Sequence, residues 1–111
     1  MQGKFAEVRL GFDGQHLLAD IQGEIDHHSA AGLRSKIDSQ LCRFRPRTLI
    51  INMQQVSFMD SSGLGLIVGR AELAAGMHGQ VRVVNVSPTY MKLFALAGLE
   101  RIDNLKIEGA S

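Results

Sequence analysis

A chain of 111 residues, 45% of them hydrophobic, is long enough to bury one core and too short for a second domain, so residues 1–111 are expected to form a single unit. Its formal net charge of +1 comes from scattered basic residues with no cationic stripe, which argues against direct nucleic-acid binding. The single cysteine, Cys42, closes no internal disulfide, and there is neither an amino-terminal signal pattern nor an apolar run of about 18 residues, so the expectation is a soluble, cytoplasmic protein with no membrane span.

Residues 5 to 12, FAEVRLGF, alternate so that Ala6, Val8, Leu10 and Phe12 share one face, the period of a half-buried strand. Asp13-Gly14 favours the backbone of a tight hairpin turn. QHLLADIQG, residues 15 to 23, then returns with Leu17, Ala19 and Ile21 alternating, which predicts an antiparallel pair. From Asp26 the period becomes helical: Ala30, Leu33, Ile37, Leu41 and Phe44 form one stripe, Asp26 has the short carboxylate of an N-cap, and Pro46 marks the end. TLIINM, residues 48 to 53, is almost continuously apolar, as a mid-sheet strand covered on both faces tends to be. A second helix is predicted over 61 to 77 with Gly79 beyond it, and QVRVVNV, residues 80 to 86, reads as a strand. Ser87-Pro88 opens a third helix that stops at Gly98, and IDNLKI, residues 102 to 107, is the final strand. The order β-β-α-β-α-β-α-β requires parallel strands joined by right-handed crossovers, hence a small α/β fold with one sheet.

The junction of the third strand and second helix, SFMDSSGLG at residues 57 to 65, places an acid and two adjacent hydroxyls at one turn. A hydrolase nucleophile elbow needs glycine two positions before the serine. Met59 stands there instead, although His27 or His28 offers a base. A dinucleotide loop fails as well, because Gly69 comes one position too late after Gly63 and Gly65 and no acidic residue stands near position 83. No Gly-Lys-Ser/Thr occurs for a phosphate loop. Asp26, His27, His28 and Cys42 make a poor metal set: adjacent histidines point to different sides of a helix, and Cys42 reads as a small, partly buried apolar side chain.

A modified hydroxyl fits better. With Asp60 as N-cap, Ser61 and Ser62 take the first two helical positions, where free N–H groups and the positive end of the helix dipole favour an added phosphate. The same triplet also serves as a plain polar cap. Behind it, Leu64, Ile67, Val68, Ala71 and Ala75 make a stripe suited to the sheet, while Gly65, Leu66, Gly69 and Leu73 form a second face that the core does not need. Each helix glycine costs about 1 kcal/mol relative to alanine, so a close approach by another surface is expected, either a partner or an overlying loop of the same chain.

SFMDSSGLGLIVGR, GEIDHHSA and VSPTYMKLFALAGL together resemble the anti-sigma factor antagonists of the STAS domain superfamily over the whole chain, and the Asp-His-His segment narrows the resemblance to the sporulation type. The resemblance implies a single STAS-like α/β domain, with one mixed β-sheet, an N-terminal hairpin and three to four helices packed mainly on one side. It implies no catalysis and no cofactor, nucleotide being bound by the partner. The first serine of Asp-Ser-Ser-Gly, Ser61, is then the phosphorylated residue. The unphosphorylated form binds an anti-sigma factor that is a serine kinase and so releases the sigma factor. Phosphorylation switches binding off and a protein serine phosphatase resets it. The partner surface is expected over Asp26, His27, Met59, Asp60, Ser62, Gly63, Gly65, Leu66, Gly69 and Leu73. A soluble STAS subunit of a lipid-transport ATPase is the other reading.

Overall fold

Two strands open the fold, Glu7–Phe12 (β1) and His16–Ile25 (β2), paired antiparallel as the alternation predicts, with Leu10 opposite Ala19 and Phe12 opposite Leu17. The computed structural model describes residues 5–110, so both ends of the expected 1–111 unit lie outside the described residues. At the turn, Asp13 Oδ1 accepts hydrogen bonds from the backbone N–H groups of His16 and Gln15 at 2.7 and 2.8 Å, and Gly14 takes φ 101°. Those two bonds, His16 first, favour the carboxylate and draw the Asp13 pKa down from 3.8 to about 2. A depressed folded-state pKa means that this contribution to stability is present above the unfolded carboxylate's value and is lost as pH falls from 3.8 towards about 2. NMR titration of the side-chain carboxyl should place the Asp13 midpoint near 2 in the folded protein; a midpoint at the ordinary carboxylate value would show that the turn does not hold it.

The remaining elements are α1 (His27–Phe44), β3 (Thr48–Met59), α2 (Ser61–Gly76), β4 (Gln80–Val86), α3 (Pro88–Leu96) and β5 (Leu105–Gly109), with a short 3₁₀ turn at Leu99–Arg101. The sheet order is β1-β2-β3-β4-β5, all parallel after the first pair, so each helix connects neighbours in the same direction. Right-handed crossovers repeated in one direction set all three helices on one face. The core lies between them, where Leu17, Ile21, Leu49, Ile51, Val81 and Val83 of the sheet meet Leu33, Ile37 and Leu41 of α1, Ile67 and Ala71 of α2, and Phe94 of α3. Among the described residues the opposite face carries no helix, so β3 is covered on one face and not on both: Leu49 and Ile51 are buried, while Ile50 and Asn52 are only half-buried.

Three strand boundaries differ from the sequence reading. β3 runs six residues past Met53, because it carries one extra residue opposite Asp20–Gln22 and another opposite Gly23–Glu24. Each bulge turns the side chains by one position, which erases the alternation that would have marked 54 to 59 as strand. β2 likewise continues to Ile25, where it pairs with Met59. β5 begins at Leu105 and not at Ile102, since Asn104 sits in a turn with its side-chain amide donating to the carbonyls of Ala71 and Gly79 at 2.9 and 3.0 Å.

Candidate functional site

Asp26 and Asp60 follow the paired residues Ile25 and Met59 at the carboxyl ends of adjacent parallel strands, and the Asp60 N–H donates to the Ile25 carbonyl at 3.1 Å. The two helix N-termini therefore stand side by side. At the first, Asp26 Oδ1 accepts from the Ser29 N–H at 2.9 Å and Ser29 Oγ accepts from the Asp26 N–H at 3.0 Å, a reciprocal capping box. The Ser29 N–H bond holds the Asp26 pKa below its ordinary value. At the second, Asp60 Oδ1 accepts from the Ser62 N–H at 2.8 Å, which places Ser61 at the first helical position with its side chain exposed and Ser62 half-buried behind it.

The end of β3 needs separate support, because β4 pairs with it only from Thr48 to Asn52. Tyr90, on α3, supplies it: the Met59 N–H donates to the Tyr90 hydroxyl at 2.9 Å. Tyr90→Phe removes that acceptor alone. It should cost about 1–3 kcal/mol, the penalty for a part-buried donor left unpaired, and should speed hydrogen exchange at the Met59 amide. Unchanged exchange there would show that Tyr90 does not hold the strand.

Below the caps a groove of about 410 Å³ runs between α1 and α2, lined by His27, Ala30, Ala31 and Arg34 on one side and Ser62, Gly65, Leu66, Gly69 and Arg70 on the other. A Cβ added at Gly65 or Gly69 would meet nothing within 4 Å among the described residues, so no overlying loop there accounts for these glycines. Other parts of the predicted helix face are corrected. Leu66 is 4% exposed and belongs to the core, Leu73 packs half-buried against it, and Ala75 is exposed and not on the sheet side. Met59 is also 4% exposed and Gly63 is buried against its side chain, so these two support the turn from beneath. Asp26, His27, Asp60, Ser61, Ser62, Gly65 and Gly69 are brought together at one end and along one groove.

Asp38 and Arg70 are not singled out in the sequence, and Arg34 counts there only among the scattered basic residues. Arg70 falls at core spacing on α2, three residues after Ile67 and four after Leu66, and a charge on an apolar stripe is the signal that marks it. Its side chain is 7% exposed, with Nε 2.7 Å from Asp38 Oδ1 of α1. Burial lowers the Arg70 pKa, opposed by the Asp38 charge and reinforced by Arg34. The two atoms meet without hydrogen-bond alignment, and Arg70 Nη1 is buried without an acceptor.

Cys42 is exposed and not partly buried. No group of three or more metal-ligating side chains gathers among the described residues, and no helix there is long and apolar enough to cross a membrane. His27 faces the groove, whereas His28 lies edge-on to Phe5 at 6.2 Å.

The STAS domain family model matches residues 7–108. An anti-sigma F factor antagonist of Lysinibacillus sphaericus is 40% identical over 77 residues, which make up 69% of this chain and 66% of that relative's length. Among solved structures, the anti-sigma factor antagonist SpoIIAA in its unphosphorylated form superposes with a TM-score of 0.77 at 31% identity, covering 91% of this chain and 87% of that one. The Bacillus cell fate determinant SpoIIAA in the phosphorylated form gives a TM-score of 0.72 at 31% identity, covering 91% and 90%. The chain therefore belongs to the STAS domain family, with anti-sigma factor antagonists among its relatives.

Proposed function

We propose that this protein is an anti-sigma factor antagonist of the sporulation type, acting in the cytoplasm and switched by phosphorylation of Ser61. The observation that carries the reading is the placement of Ser61: exposed, first in α2, and next to a groove at whose glycines an added Cβ would meet nothing among the described residues. In the unphosphorylated form the paired helix N-termini, with Asp26, His27, Asp60, Ser62, Gly65 and Gly69, dock on an anti-sigma factor that is a serine kinase and displace its sigma factor. The chain is ligand and substrate, not catalyst.

A phosphate on Ser61 would bring about −1.5 to −2 charges to a helix end that tolerates them, so the fold should persist. Its effect falls on the partner. Two charges a few ångströms apart at a protein surface interact by about 1–4 kcal/mol, and Asp60 and Asp26 already make this edge negative, so an acidic or closely fitted partner surface is repelled. A serine phosphatase then restores binding. That SpoIIAA has been solved in unphosphorylated and phosphorylated forms, both similar to this chain, supports a switch that leaves the fold in place.

Ser62 is the wrong hydroxyl, since one residue along a helix turns the side chain by about 100° and Ser62 is half-buried. Incubation with the cognate anti-sigma kinase and ATP, followed by mass spectrometry, should find one phosphate on Ser61. Ser61→Ala should abolish it while retaining kinase binding. Phosphate on Ser62 with Ser61 unmodified would overturn the assignment.

A further inference from the structure

We propose that the groove between α1 and α2 is a binding site for a phosphate-type oxyanion, with Arg34 and Arg70 as its cationic ligands. The site goes beyond the switch at Ser61 and does not rest on it. The polar side chains lining the groove are His27, Arg34, Ser62 and Arg70, every one a hydrogen-bond donor, and among the described residues no carboxylate lines it.

Arg70 is the central observation. It is only 6% exposed, and a buried guanidinium with five N–H donors requires several acceptors. Asp38 Oδ1 comes closest at Nε, 2.7 Å away, and neither Nε nor Nη1 has an aligned acceptor among the described residues. Arg34 faces the same groove from the other helix, makes no ion pair among the described residues, and lies near enough for its charge to act against that of Arg70. Away from the caps at Asp26 and Asp60, the two guanidiniums on the groove lining are met by one paired carboxylate, Asp38.

The small side chains make the room. Ala30, Ala31, Gly65 and Gly69 leave the groove at about 410 Å³, and the backbone at both glycines is open to an approaching group. Donors reaching in from both helices suit a tetrahedral oxyanion, whose oxygens point to several sides, better than a planar carboxylate, which matches the edge of a single guanidinium.

The test needs only this chain. The ¹⁵N-labelled protein is titrated with sodium phosphate and, separately, with sodium chloride at equal ionic strength, while the amides of Gly65 and Gly69 and the Nε–H groups of Arg34 and Arg70 are followed. Phosphate should produce saturable shifts at these groups and chloride should not. Arg34→Gln, on the exposed wall of the groove, should keep a folded spectrum and weaken phosphate by about tenfold, as expected for the loss of a charged hydrogen bond. Shifts that chloride reproduces, saturation centred on the caps at Asp26 and Asp60, or an Arg34→Gln protein that binds phosphate as well as wild type would each overturn the site. Sodium acetate shifting the same groups with equal affinity would overturn the phosphate assignment. Since no kinase enters the experiment, its failure and the failure of the Ser61 switch are separate results.

Discussion

Asp38→Ala is expected to destabilise the protein by about 3 kcal/mol, near the lower end of the cost of removing one partner from a buried ion pair. The lower end applies because Asp38 is 29% exposed and partly screened by water, whereas Arg70 is 7% exposed and keeps its charge with nothing to balance it. The pair also joins α1 to α2, so the loss should loosen the groove between them. Replacing the orphan charge tests the cause: in the double variant Asp38→Ala/Arg70→Met an apolar side chain of similar length fills the site, and most of the lost stability should return. Denaturant midpoints of the two single variants and the double variant complete the cycle. A loss below about 1 kcal/mol in Asp38→Ala would show that the pair behaves as an ordinary surface ion pair.

Three glycines in α2 should respond to alanine in opposite directions. At Gly63 the new methyl would overlap the Met59 side chain, which is itself confined in the core, so Gly63→Ala should cost about 1–3 kcal/mol through overpacking. At Gly65 and Gly69 it meets nothing within 4 Å. Each of those substitutions should therefore gain about 0.5–1 kcal/mol from helix propensity. If the groove face receives the proposed partner, the same two variants should bind it more weakly while melting at a higher temperature. A loss of stability at Gly69→Ala would show that the open face is closed in solution.

The parts of this fold legible in the sequence are those where local chemistry and burial agree. The caps at Asp26, Asp60 and Ser87, the hairpin turn at Asp13-Gly14, and the alternation in β1 and β2 all appear where the residue pattern places them. The pattern failed where neighbouring strands override it. β3 looks finished at Met53 because its two bulges put Gln54, Gln55, Ser57 and Phe58 outside, a fact about register against β2 that no single strand carries. In α2 the face was misjudged by one position. Leu66 and Arg70 turn inward towards α1, so the buried surface is wider than a stripe facing the sheet alone, and Ala75 falls outside it. The serine turn was visible as a turn, and the groove beside it was not, because a groove is made by two helices and its small residues are distributed between them.

The sequential order of the sheet has a consequence for how the chain folds. Every strand lies beside its neighbour in sequence, from β1 to β5, so each new strand meets an edge formed just before it. Contacts close in sequence shorten the loops that must close during folding, which favours rapid folding for a mixed α/β domain. During synthesis the hairpin can form first and act as a template for β3, then β4, in the order in which they emerge. The final strand β5 is then the one that covers the exposed edge of β4, and a chain released before Leu105 would keep that edge open to pairing with other chains.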